Sequence, residues 1–128
     1  MTNSIASDHW VETYKSLVTL SIEGFKFSAL ANGGAAVAML AYLGNIAGKA
    51  PNLPDMRVPM VAFLLGVLLC GLTLLFAYLT QLRLLNEISR SDRPTQLHHW
   101  FLWAAILSYA LSLVAFGFGA WQSVIHFR

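Results

Sequence analysis

Two patterns of polar and apolar positions alternate along this chain. Asp8, Glu12, Lys15, Thr19, Glu23 and Lys26 recur at spacings of 4, 3, 4, 4 and 3, which gathers them into one polar stripe of an α-helix. Trp10, Tyr14, Leu17, Ser21 and Phe25 fill a different face, with Val11, Val18 and Ile22 beside them. Beyond Lys26 charge disappears for long intervals. No Asp, Glu, Lys or Arg occurs from Phe27 to Gly48, from Val58 to Leu82 or from Pro94 to Phe127. A bilayer span takes about 20 predominantly apolar residues, and each window holds one. The pattern predicts an all-α membrane protein with an amphipathic helix over 8–26 and transmembrane helices over 27–48, 58–82 and 100–125. Together they form one integral membrane domain.

Any apolar run can instead be a buried core helix, and composition decides between the two. Hydrophobic residues make up 57% of the 128 positions and charged residues 11%, against about 25% charged in ordinary soluble domains. So few charges cannot clothe a soluble domain of this size in a polar shell.

Punctuation marks the helix ends. Only Gly24 interrupts helix-forming residues between Glu23 and Ala31, at a propensity cost of about 1 kcal/mol relative to Ala. The amphipathic helix is therefore expected to run on into the first span. Glu12 with Lys15, and Glu23 with Lys26, have the spacing to pair along it. Lys49-Ala50-Pro51-Asn52-Leu53-Pro54-Asp55 forbids a continuous helix, and Asp55 is a suitable cap for the next one, with Pro59 in its first turn. Ser91-Asp92-Arg93-Pro94 ends the second helix, and Asp92 is placed to cap the third. Trp100 and Trp103 near one end of the third helix, and Trp121 near the other, have the placement of interfacial aromatics.

Helices over about 8–48, 55–89 and 93–127 would be about 60, 50 and 50 Å long, whereas the bilayer core is about 30 Å thick. The surplus falls on one side, at the start of the first helix, the end of the second and the start of the third. It predicts helical extensions from the membrane; an amphipathic helix lying in the headgroups is the rival arrangement. That side carries Lys15, Lys26, Arg83, Arg90 and Arg93, and the other Lys49, Arg57 and Arg128. The positive-inside rule then places the N-terminus and the extensions in the cytoplasm and the C-terminus outside. The polar start, with no short apolar stretch behind a basic one, argues against a cleaved signal peptide.

Between helices in lipid, close backbone approach and hydrogen bonds replace the hydrophobic effect as the discriminating terms. Small residues spaced by four supply that approach. The first span has Ala29 with Gly33, Ala31 with Ala35, Gly34 with Ala38 and Gly44 with Gly48. The second has Ala62, Gly66 and Cys70, then Thr73 with Ala77. The third has Ala104, Ser108 and Ser112, then Ala115, Gly119 and Ser123. Small residues surround most of the first span, which predicts neighbours on more than one side. Asn32 stands about 7 Å inside the apolar boundary, where its amide needs a partner, and Gly33 and Gly34 let one approach. Asn32, Gly33, Gly34, Gly66, Cys70, Thr73, Ser108, Ser112 and Gly119 are accordingly the candidates for helix packing or for the lining of a polar path.

The run Asn32-Gly33-Gly34-Ala35-Ala36, followed by Ala38, Leu40-Ala41 and Leu43-Gly44-Asn45, resembles the first span of small bacterial multi-helix membrane proteins. Glu12 to Gly24 is similar to the amphipathic lead of the same group. The resemblance covers some 35 residues. It implies a multi-helix protein of the bacterial inner membrane and carries no activity, cofactor or functional residue.

Chemistry is sparse. Cys70 is the single cysteine and sits in an apolar window, the setting of a packing residue rather than a nucleophile. The histidines His9, His98, His99 and His126 lack metal-ligand spacing, since adjacent rings such as those of His98 and His99 diverge by about 100° on a helix. Gly33-Gly34 and Gly117-Phe118-Gly119 lie within helices and lack the Lys-Ser/Thr of a phosphate loop. No catalytic constellation, cofactor site or metal site is expected, and a net charge of +2 is too small for a nucleic-acid partner. The spans show no charged residue near midplane, unlike proton-coupled carriers. Two expectations remain. One is a self-associating structural or interaction subunit, in contact with lipid and with a soluble cytoplasmic partner. The other is a subunit of an oligomeric pore, such as a membrane-permeabilising effector, lined by Asn32, Thr73, Ser108, Ser112 and small residues.

Overall fold

The computed structural model describes residues 2–49, 54–90 and 97–126, with side chains at 8–49, 54–86 and 99–126. It consists of three helices: α1 (Thr2–Ile46), α2 (Arg57–Arg90) and α3 (Leu97–His126). Each is long and apolar enough to cross a membrane. The expected caps at Asp92 and the positions Arg90, Arg93 and His98 lie outside the described side chains.

The amphipathic segment and the first span are one helix of 45 residues, about 67 Å long, uninterrupted at Gly24. It stops at Ile46 rather than at residue 48, because Gly48 takes φ 78°, a left-handed conformation that favours glycine. The closing turn is held by the Ala47 amide donating to the Leu43 carbonyl and the Lys49 amide to the Ile46 carbonyl, each at 3.0 Å. Helix α2 starts two residues after Asp55, whose carboxylate accepts the Arg57 amide at 3.1 Å and so satisfies one of the first free N–H groups. Pro59 sits buried in the first turn, where the missing N–H leaves nothing unpaired.

Helices α2 and α3 form the closest pair, and α1 lies chiefly against α2 with a smaller contact to α3. Near the α1 C-terminus, Ala36 and Met39 pack against Met56 and Phe63, with Leu43, Met60 and Phe116 around them. The Phe63 and Phe116 rings meet tilted at 49°, with a centroid distance of 6.0 Å. Further along, burial is inverted relative to a soluble protein. Ser28, Asn32, Thr73, Thr80, Ser108 and Ser112 are buried, whereas Leu30, Val37, Leu64, Leu68, Leu107 and Val114 are exposed. Large apolar residues outside and small polar ones between helices suit a hydrocarbon solvent.

Within a single chain α1 uses one side only. It packs along one face, and Gly34, Ala38, Ala41 and Gly44 are exposed. A Cβ at Gly34 or Gly44 would meet nothing within 4 Å. Its N-terminal half leans on the others only loosely: Trp10 is 74% exposed, and Val11, Tyr14 and Leu17 are exposed beside it.

Candidate functional site

The three helices meet in a knot of hydrogen bonds. Ser28 and Asn32 are one helical turn apart on α1, so they share a face. Gly66 stands opposite on α2 and Ser112 on α3. The Ser112 hydroxyl donates to the Gly66 carbonyl at 2.7 Å. Its one proton thus used, it must accept from the Ser28 hydroxyl, 2.7 Å away. Asn32 Nδ2 donates to the Ser28 carbonyl at 3.1 Å and leans on the Ser112 carbonyl and hydroxyl at 3.4 Å each. Three acceptors around one nitrogen settle which end of the amide points there. Four contacts between helices at about 0.6 kcal/mol each, the membrane average, would contribute roughly 2 kcal/mol.

Asn32 Oδ1 has no conventional donor and is fully enclosed. It lies where a side chain on Gly66 would begin, and so faces a Cα–H of that glycine. A Cα–H···O contact is a weak substitute for an N–H donor, and it exists only because residue 66 lacks a Cβ.

Other expected packing residues fall around this knot. Cys70, one turn along from Gly66, donates its thiol to the Phe25 carbonyl at 3.4 Å. Phe25 meets Tyr109 edge-on at 5.7 Å, and the Tyr109 hydroxyl comes within 3.0 Å of a Cβ built on Gly24. Thr73 turns its hydroxyl back to the Leu69 carbonyl at 2.9 Å, leaving a methyl for packing. Gly119 admits the Phe63 ring, and Gly33 lies near Val67. Gly34 takes no part. Ser28 was missed by the small-residue rows, although its position four residues before Asn32 was a legible signal. Of the expected pore-lining residues, Asn32, Ser108 and Ser112 are buried between the helices, and Thr73, also buried, stands at the wall of a cleft.

Beyond Phe25 the helices part. A cleft of about 550 Å³ opens between α1 and the α2–α3 pair, lined among others by Tyr14, Ser21, Phe25, Thr73, Thr80, Gln81 and Tyr109.

These contacts also set the relative heights of the helices. Cys70, which meets Phe25, stands thirteen residues from Arg57 and thirteen from Arg83, the charges that bound the apolar part of α2. Ser112, which meets Ser28, stands thirteen residues from His99 and fourteen from His126. Residues 25–28 are therefore at mid-height of α2 and α3, although they begin the apolar window of α1. Asn32 is thus set away from the edge of the bundle. Glu23 and Lys26 flank mid-height, joined by an ion pair of 2.8 Å with side chains 62% and 60% exposed. Hydropathy along α1, where Phe27–Gly48 is free of charge, could not reveal a helix staggered against its neighbours. The Glu12–Lys15 pair is not closed.

Among the described residues no three His, Cys, Asp or Glu side chains converge as metal ligands. Comparison with known protein families, with curated proteins and with solved structures finds no match to this chain.

Proposed function

We propose that this chain is a small self-associating subunit of the bacterial inner membrane, with three spans, the N-terminus in the cytoplasm and the C-terminus outside. The observation that carries the reading is the one-sided use of α1. Its inner face closes the Ser28–Asn32–Gly66–Ser112 knot, while its outer face leaves Gly34, Ala41 and Gly44 open to further approach. A helix packing in lipid gains from such approach, and the described residues hold no helix beyond α2 and α3 to supply it. Exposed Trp10, Val11, Tyr14 and Leu17 at the α1 start support a docking surface for a soluble cytoplasmic partner.

Native mass spectrometry and cross-linking in mild detergent test self-association; a monomer at membrane-like concentrations refutes it. Maleimide labelling of Asn52→Cys and Ser91→Cys in a Cys70→Ala background tests the topology, with opposite sides expected and same-side labelling excluding three spans.

A second reading, an oligomeric pore, is favoured by the charged pair at mid-height of the bundle. Its lining would be the outer stripe of α1 rather than the buried Asn32, Thr73, Ser108 and Ser112. Ion flux from liposomes tests it: Asn32→Leu should leave conductance selectivity unchanged and Lys26→Glu should alter it.

A further inference from the structure

The outer stripe of α1 is the feature that a single chain in lipid leaves unexplained. At about 100° per residue, Lys15, Thr19, Glu23 and Lys26 all fall within about 40° of the direction opposite Ser28. They therefore point away from α2 and α3, and all four are exposed. The contacts of Phe25 with Cys70 and of Ser28 with Ser112 hold Glu23 and Lys26 at mid-height of two helices free of Asp, Glu, Lys and Arg for 25 residues in one case and 34 in the other (Val58–Leu82 and Pro94–Phe127). The centre of the α1 apolar window, near residue 37, lies nine to twelve residues beyond that level, about 14–18 Å.

Tilting the bundle does not remove the mismatch. Neighbouring axes lie about 8–10 Å apart, so even a tilt of about 40° shifts one helix against another by only about 6 Å along the membrane normal. With α2 and α3 seated in hydrocarbon, the pair is buried in the bilayer on the bundle's outer surface. Ionisable groups at that depth face protein or water rather than lipid tails.

Charge decides what covers them. At mid-height the stripe presents one acid and one base, Glu23 and Lys26, which sum to zero. An anionic headgroup would need a basic cluster, and a charged partner an excess of one sign. A balanced stripe is complementary to itself. Copies inserted in the same direction stand at equal heights, and the three-residue step from Glu23 to Lys26 amounts to about 4.5 Å, within the reach of a lysine side chain. A two-fold contact then makes each pairing twice. We propose that a second copy of this chain covers the outer stripe of α1, with Glu23 of each protomer paired to Lys26 of its neighbour. This rests on the self-association reading and names the surface that performs it.

The test uses the full chain in nanodiscs, with the oligomer fraction read by native mass spectrometry. Glu23→Lys makes the stripe basic and Lys26→Glu makes it acidic. Each variant alone should shift at least tenfold toward monomer, and co-expression of the two should restore assemblies that contain both. If either variant inserts poorly, disulfide formation replaces it. In a Cys70→Ala background, Thr19→Cys should cross-link between copies at least tenfold faster than Val114→Cys on the exposed face of α3. A monomeric wild-type chain overturns self-association and this proposal together. A wild-type oligomer with both charge variants equally assembled, or with Thr19→Cys no faster than Val114→Cys, overturns the stripe alone.

Discussion

Replacing Gly66 with alanine is the sharpest perturbation of this fold. A Cβ at this position falls onto the Asn32 carboxamide, overlapping Oδ1 and Cγ and lying 2.8 Å from Nδ2. The obstruction begins on the α1 backbone two bonds away, so a swing of a flexible tip cannot relieve it. Either α1 withdraws from α2, or the amide rotates and gives up its bonds to the Ser28 carbonyl and to Ser112. Overpacking of this kind typically costs about 1–3 kcal/mol, and each lost interhelical hydrogen bond about 0.6 kcal/mol more in a membrane. We expect a loss of about 2–4 kcal/mol. Gly71→Ala is the control on the same helix, since a Cβ there meets nothing within 4 Å, and it should be neutral or stabilise by up to about 1 kcal/mol through helix propensity. Pairing Gly66→Ala with Asn32→Ala removes the obstructed group and should recover more than about 1 kcal/mol as a coupling energy. Equilibrium unfolding in mixed detergent micelles, followed by tryptophan fluorescence, measures all three. A Gly66→Ala variant as stable as Gly71→Ala would show that the amide is not seated against this glycine.

The same knot and its neighbours yield further expectations. Ser112→Ala removes the donor to Gly66 and the acceptor of Ser28, and should destabilise by about 1–2 kcal/mol in the same assay; a neutral result refutes the hydroxyl relay. Gly119→Ala brings a methyl to 2.9 Å from the Phe63 ring; it should cost about 1 kcal/mol or more, with relief on adding Phe63→Leu. Gly117→Ala, whose Cβ meets nothing within 4 Å, should cost no stability in the same titration. Cys70 is 2% exposed and bonded to Phe25, so alkylation by a maleimide should be at least tenfold slower in mild detergent than after SDS unfolding. Equal rates would place the thiol at an open surface.

Much of the packing was legible in the chain. The spacing of Ala62, Gly66 and Cys70 marked the buried row of α2, and that of Ser108 with Ser112 marked the row of α3, because a row at i, i+4 stays on one helical face whatever surrounds it. Rows on α1 were ambiguous. Small residues occur around most of it, so spacing could not distinguish Asn32, which is enclosed, from Gly34, which is open. Ser28 lay hidden for a related reason: on its own it is a small polar residue near a boundary, and its partner is 84 positions away.

Height was invisible altogether. A charge-free window tells how much of one helix can sit in hydrocarbon, and it was enough to establish three helices, their approximate limits and the absence of a strand pattern. It carries no information on how one helix slides against another, since every heptad-like row offers several registers of similar quality. Only the contacts of Phe25 with Cys70 and of Ser28 with Ser112 selected one register, and with it moved Asn32 away from the edge of the bundle and brought Glu23 and Lys26 to the mid-height of α2 and α3. Composition and period belong to the chain because they follow from solvent preference and helix geometry alone; register and the unpartnered face of α1 belong to the tertiary structure because they depend on which backbones can touch.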